Sequence, residues 1–194
     1  MAVDNHCTEQ QVYSGLLHDP AILDPLTGFH HQSYLDRVLN KSIQGHRLNP
    51  AAASLALLQL ENFYEIKAWL GKSDATLFLS DIARLLKKTL PASALLSRCE
   101  RYEFAALLID QSSHNARVIT AQVRHALESI AEKSLPDSVK LKISIGIAEI
   151  DDRTTGKDVL YARARHDMSV YREGQIHLAR QQQNLQPAIV FKRL

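Results

Sequence analysis

Residues Ala53 to Leu60 form an almost unbroken apolar run of strand length. A strand with one wet face alternates apolar and polar side chains, so a run without a polar face must be covered on both sides. The rest of the chain has to supply that cover. Leu35, Val38 and Leu39 follow Ser33, a residue type that caps helices. Leu79, Ile82, Leu86 and Leu90 are spaced as one helix face after Ser73-Asp74, and Pro91 ends that helix. Ile119, Val123, Leu127 and Ile130 mark an amphipathic helix within His114 to Lys133, and Asp158 to Tyr171 reads as another. Ala94 to Arg98 and Phe104 to Ile109 are short apolar runs a hairpin apart, with Glu100 to Glu103 between them. Val139 to Ile150 alternates as a half-buried strand, and Ala188 to Phe191 reads as a last edge strand after the Gln-rich joint Gln181 to Gln186.

This order predicts an α+β sandwich of the ferredoxin-like, polymerase-palm-like type: a mostly antiparallel central sheet flanked by helices, placed on one face. Residues 1–20, with a helix-like stretch at Gln11 to Leu17, are expected as a lead-in segment. Residues 21–180 form the domain, and 181–194 a joint followed by a C-terminal strand or tail.

Composition narrows the function classes. The chain has 194 residues, 45% of them apolar, enough for one globular domain with a sizeable core. Its 23 basic and 21 acidic side chains leave a net charge of +2, which gives no electrostatic reason to expect nucleic acid or a membrane surface as partner. Cys7 and Cys99 cannot build a disulfide framework, and a reducing cytoplasm is the simpler expectation. The first residues lack the basic and apolar regions of a signal peptide, and no run approaches the roughly 18 apolar residues of a membrane span.

Isolated reactive residue types add little. His30-His31 with His46 match neither a Cys2His2 spacing nor an H-E-x-x-H helix. Cys99 reads as a small core residue, and nothing pairs Cys7 with a catalytic histidine. Ser144 precedes Gly146 within a strand pattern, not in a nucleophile elbow. Arg163, Arg165, Arg172, Arg180, Lys192 and Arg193 give the C-terminal part a local charge of +4 against Asp167 and Glu173. The stretch reads as a solvated helix face plus tail, or as a docking surface for an acidic partner or nucleotide.

Five blocks in order resemble the GGDEF domain of diguanylate cyclases. Asp24-Pro25-Leu26-Thr27-Gly28-Phe29 resembles the family's D-x-L-T-G-L opening turn. Leu57 to Phe63 sits at the strand ending in D-x-D-x-F-K, and Ser97 to Phe104 at R-x-G-G-D-E-F. Ile143 to Ala148 matches S-I-G-I-A, and His166 to Tyr171 resembles A-D-x-A-L-Y. The resemblance implies a palm-like fold. In active members two such domains each bind one GTP and condense the pair into cyclic di-GMP, with divalent metal between carboxylates and phosphates.

Carried over by position, that site is dismantled here. The strand-end metal aspartate falls on Gln59, a neutral and poor magnesium ligand. The guanine-reading Asn and Asp fall on Lys67 and Thr76, and a lysine accepts no hydrogen bond. The glycine pair falls on Glu100-Arg101, where a Cβ either strains a φ > 0 turn or forces a different one. The variable acid is Tyr102, and only Glu103 and Phe104 persist. The phosphate-steadying lysine near the C-terminus falls on Gly174. The Arg-x-x-Asp inhibitory motif falls on Pro91-Ala92-Ser93-Ala94, so cyclic di-GMP binding at that site is not expected.

The resemblance and its losses together imply a catalytically inactive, cytoplasmic GGDEF-like regulatory domain without a cofactor. It would act by protein–protein interaction in cyclic di-GMP-related bacterial signalling, with another signalling protein as partner or as a homodimer. Trp69, Tyr102 and Arg101 are the interaction candidates, and Phe63 is expected in the core. A second reading is a non-catalytic sensor of GTP or a cyclic dinucleotide. A third is a residual cyclase holding metal between Glu61 and Glu103, against the expectation that Glu61 is a solvated strand-end acid.

Overall fold

The computed structural model describes residues 23–185, with side chains through residue 174. In chain order the elements are β1 (His30–His31), α1 (Gln32–Leu48), β2 (Ala53–Leu60), α2 (Phe63–Leu70) and α3 (Lys72–Thr89). They continue as β3 (Leu95–Arg98), β4 (Glu103–Ile109), α4 (Ser113–Ser134), β5 (Ile143–Glu149) and α5 (Lys157–Leu185). The five strands form one sheet in the order β1-β3-β4-β2-β5. β1 runs parallel to β3, and every other pair is antiparallel. The α+β class is as the sequence predicts.

The apolar run Ala53–Leu60 becomes β2, held between β4 and β5. Its even-numbered side chains Ala56, Leu58 and Leu60 join a core with α2, α3 and α4. Its odd-numbered Leu55 and Leu57 join a second core with α1 and α5. Helices therefore lie on both faces, not one, which is the direct consequence of a strand with two apolar faces. Phe63 is buried in the first core, as expected.

Other expectations shift in detail. The alternation from Val139 yields a strand only from Ile143, and Val139 to Leu141 form the approach to it. Helix α1 begins at Gln32 without a side-chain cap, so Ser33 lies inside it. Helix α4 does use a serine: Ser112 accepts the Asn115 N–H at 3.4 Å. Gln181 to Leu185 continue α5 as helix and are not a joint. The predicted lead-in segment, Cys7 and the Ala188–Phe191 strand lie outside the described residues.

β5 is an outer strand, and α4 and α5 clasp it. Asp167 of the A-D-x-A-L-Y-like block accepts the Ile147 N–H at 2.8 Å and pairs with Arg117 at 2.7 Å. Arg124 donates to the Ile143 carbonyl at 2.7 Å and lies over the Tyr171 ring at 4.4 Å. Two groups on the outer edge of β5, the Ile147 N–H and the Ile143 carbonyl, are thus satisfied by side chains, which blunts the edge against a further strand.

His30 in β1 is buried and stacked on Tyr34 with ring centroids 4.2 Å apart, and its Nδ1 has no hydrogen-bond partner among the described residues. Burial holds its pKa below the ordinary histidine value of 6.5. A depressed histidine favours the neutral folded state, so its contribution is complete above pH 6.5 and declines as pH falls below it. The melting temperature is expected to fall between about pH 7.5 and about pH 5.5, and His30→Phe, which keeps the ring, is expected to reduce that fall. An equal fall in both chains would refute the assignment.

Candidate functional site

The residues that the resemblance assigns to the family's catalytic positions meet at one end of the sheet. Gln59 is the register partner of Glu103 across β2 and β4, so both side chains leave the sheet on the α5 face. Glu103 is 2% exposed, and its carboxylate is held by both Nη atoms of Arg165, at 2.8 and 2.9 Å. Glu61, just past β2, is ion-paired with Arg172, whose Nε also donates to Ser144 Oγ at 3.2 Å. Arg165 and Arg172 lie seven residues apart on α5, which puts them on one face of the helix.

Glu61 is exposed, as expected of a strand-end acid, and its charge is paired with Arg172. Within the basic stretch Arg163 pairs with Asp151 at 2.8 Å, and Arg165 and Arg172, both partly exposed, pair with the two glutamates. The side chains of Arg180, Lys192 and Arg193 lie outside the described residues.

The β3–β4 connection is made without a left-handed residue. No residue from Cys99 to Tyr102 has a positive φ, whereas Gly28 in the opening turn (φ 68°) does. The Glu103 carbonyl accepts the N–H groups of Cys99 and Glu100 at 3.0 and 3.3 Å. Glu100 and Arg101 are exposed, while Tyr102 packs on Phe63 with centroids 4.7 Å apart. Phe104 is 2% exposed and meets Phe29 edge-on at 5.9 Å. Cys99 lies just past β3, half-buried. Burial, then the nearby Glu103 charge, pushes its thiol up to about 12, which leaves it unreactive at neutral pH.

The opening block clamps this hairpin. Asp24 accepts the N–H and hydroxyl of Thr27 at 2.9 and 2.8 Å and both its oxygens take Arg98 Nη1 at 3.0 Å. Arg98 Nη2 in turn donates to the Arg101 carbonyl at 2.9 Å. Burial acts to raise the Asp24 carboxyl, but the Thr27 and Arg98 contacts outweigh it and hold the pKa below the ordinary value.

The two positions to which the resemblance assigns guanine reading face water. Lys67 is exposed on α2, and the Thr76 hydroxyl is spent on the Lys72 carbonyl at 2.8 Å. Trp69 (55%) and Tyr64 (76%) on α2 and Leu77 (64%) on α3 are exposed. Gly174 lies on α5, two residues beyond Arg172.

A magnesium ion between phosphates and carboxylates needs free anionic oxygens. Gln59 offers a neutral amide, and Glu61 and Glu103 are each neutralised by a guanidinium. Among the described residues, no three His, Cys, Asp or Glu side chains converge as a metal site. The donor set does not fit the metal that the family's reaction uses. Sequence reading missed the two arginines' role because the pairings span 62 residues for Arg165 and Glu103. The available signal was the seven-residue spacing on a helix whose Ala164 and Met168 also face the sheet.

Over residues 21–176 the chain matches the family described as diguanylate cyclase, GGDEF domain. It is 25% identical over 152 residues to the diguanylate cyclase DgcP of Pseudomonas aeruginosa, covering 78% of this chain and 22% of that protein. It is also 25% identical over 127 residues to an uncharacterized membrane protein of Staphylococcus saprophyticus, covering 64% of this chain and 35% of that protein. The chain thus spans well under half the length of either relative. Among solved structures, the GGDEF domain of Caulobacter crescentus DgcB in complex with c-di-GMP superposes with a TM-score of 0.71 at 16% identity, over 81% of this chain and 90% of that one. The GGDEF domain of Pseudomonas aeruginosa YfiN gives 0.69 at 21% identity, over 78% and 89%. At these identities the structural likeness is one of fold. Taken with a family match over most of the sequence, it means that this chain belongs to the GGDEF domain family of diguanylate cyclases.

Proposed function

We propose that this GGDEF domain is catalytically inactive and acts by binding another protein in cyclic di-GMP-related signalling. The observation that carries the reading is the pairing of both remaining site carboxylates with α5: Glu103 with Arg165 and Glu61 with Arg172. Each guanidinium supplies the positive charge that a metal would otherwise bring, so a cation binding there must first displace a salt bridge. The loss of guanine-reading groups implied at Lys67 and Thr76, and a β3–β4 turn that uses no positive φ, support the same conclusion. Trp69, with Tyr64 and Leu77, offers exposed apolar and aromatic side chains of the type enriched at protein interfaces. Tyr102 is a weaker candidate, being packed on Phe63.

The test is a thermal-shift titration with GTP and with cyclic di-GMP, each with and without magnesium. A ligand that binds the native state raises its stability by RT ln(1 + [L]/Kd), so no shift is expected at about millimolar ligand. A magnesium-dependent rise with GTP would overturn the reading in favour of a nucleotide sensor.

A further inference from the structure

Where α4 ends and the chain turns toward β5 there is a cleft of about 730 Å³, and no residue of the candidate site lines it. Leu135 and Leu141, both buried, and the half-buried Val139 form its apolar floor. Its rim carries the exposed carboxylates of Glu128, Glu132 and Asp137 against one lysine, Lys140. The volume falls within the range of about 300–1,000 Å³ typical of ligand pockets.

Hydrogen bonds fix the walls of this cleft. Helix α4 closes with the Leu135 N–H donating to the Ala131 carbonyl at 2.8 Å, and in the turn that follows the Val139 N–H donates to the Pro136 carbonyl at 2.9 Å. The far wall is tied to the end of β2. Asn62, itself buried, donates to the Lys140 carbonyl and accepts the Lys142 N–H, both at 2.8 Å. A groove held in this way needs little further ordering to receive a ligand.

Charge selects the occupant. Among the described residues Glu128, Glu132 and Asp137 take part in no salt bridge, whereas Asp24, Glu61, Glu103, Asp151 and Asp167 each pair with an arginine. The negative end of the α4 dipole adds to the charge of the rim. Such a rim repels phosphates and other anions, and no three acids converge as a metal site among the described residues. Glu128 and Glu132 stand one turn apart on α4, about 6 Å along its axis, and Asp137 lies past its end. The negative charge therefore runs as a line beside an apolar floor. A single small cation would answer one of these carboxylates. A peptide segment with apolar side chains on one face and basic ones at successive turns answers all three.

From this we infer that the cleft between α4 and β5 docks a basic amphipathic segment of a partner protein, with its apolar side chains on Leu135, Val139 and Leu141 and its lysines or arginines against Glu128, Glu132 and Asp137. The surface is separate from the Trp69 face, and the inference holds whether or not the domain turns over GTP.

The probe is a short capped peptide of leucine and lysine, with leucines on one helical face and lysines on the other, titrated into the isotopically labelled full chain. Backbone amide shifts are expected to centre on residues 128–141. Glu128→Lys with Glu132→Lys, both exposed positions, is expected to weaken binding severalfold, and circular dichroism checks that this variant keeps the fold. The same peptide with its leucines replaced by serine keeps the charge and is expected not to bind, which tests the apolar floor. Absence of binding, equal binding to the charge-reversed variant, or equal binding of the serine peptide would overturn the inference. Shifts centred on Tyr64, Trp69 and Leu77 would also overturn it, while leaving the proposed function in place.

Discussion

Gly146→Ala is expected to destabilise the domain by more than about 3 kcal/mol, at or beyond the upper end for overpacked cores. The reason lies in how closely α5 crosses β5. A Cβ at position 146 would stand 2.7 Å from both the Cβ and the backbone N of Met168, and closer still to the Ala164 carbonyl oxygen. These are mostly backbone atoms of a helix and cannot swing aside as a flexible side chain can. The helix would have to lift off the strand, carrying Arg165 and Arg172 away from Glu103 and Glu61. Thermal unfolding should show a loss of roughly 6–12 °C or more, at about 2–4 °C per kcal/mol for a chain of this size. Gly156→Ala is the control, since nothing lies within 4 Å of its added Cβ. Equal melting temperatures for the two variants would refute the account of the contact.

The second large effect is expected at Arg165. Glu103 is buried, and removing its guanidinium partner leaves a carboxylate with no compensating charge. Breaking a fully buried pair costs about 3–5 kcal/mol, and because Arg165 itself is 49% exposed, water can reach the gap and the expected cost of Arg165→Met is about 2–4 kcal/mol. Removing both charges, as Glu103→Leu with Arg165→Met, should recover most of the loss, because an apolar pair of similar volume leaves nothing unsatisfied. Urea unfolding of the single and double variants measures the coupling. Additive losses would mean that the two side chains do not depend on each other.

Much of the fold was legible because it rests on local pattern. β2 announces itself by a run without a polar face, and α3 and α4 by apolar residues at helical spacing. Two elements were not legible. β1 is two residues long and exists through its pairing with Ser97 and Arg98, a long-range relation that leaves no periodicity. Helix α2 has eight residues, rich in aromatic and branched side chains that favour helix and strand alike. The placement of helices on both faces is implicit in Ala53–Leu60, whose two apolar faces each need cover, and a one-sided sandwich leaves one of them bare.

For the site, the motif blocks located Gln59 and Glu103, and the strand register makes them direct partners. Motif order also assigns Lys67, Thr76 and Glu100-Arg101 to the family's guanine-reading and glycine positions. What the blocks could not give is charge pairing between distant segments. Arg165 and Arg172 read as a solvated basic face because solvent is the default environment of an arginine, and only the packing of α5 against β5 turns them toward the glutamates. Asp167 shows the same limit, since its structural task is to satisfy the Ile147 N–H, which spacing alone does not reveal.

The most direct test of the central claim is pyrophosphate release from GTP in the presence of magnesium, at high protein concentration so that two domains can meet. The account predicts no release above the protein-free control. Magnesium-dependent release that disappears in Glu103→Gln, with the fold of that variant intact by circular dichroism, would contradict it. Such a result would mean that the Arg165–Glu103 and Arg172–Glu61 pairs open to admit metal and nucleotide.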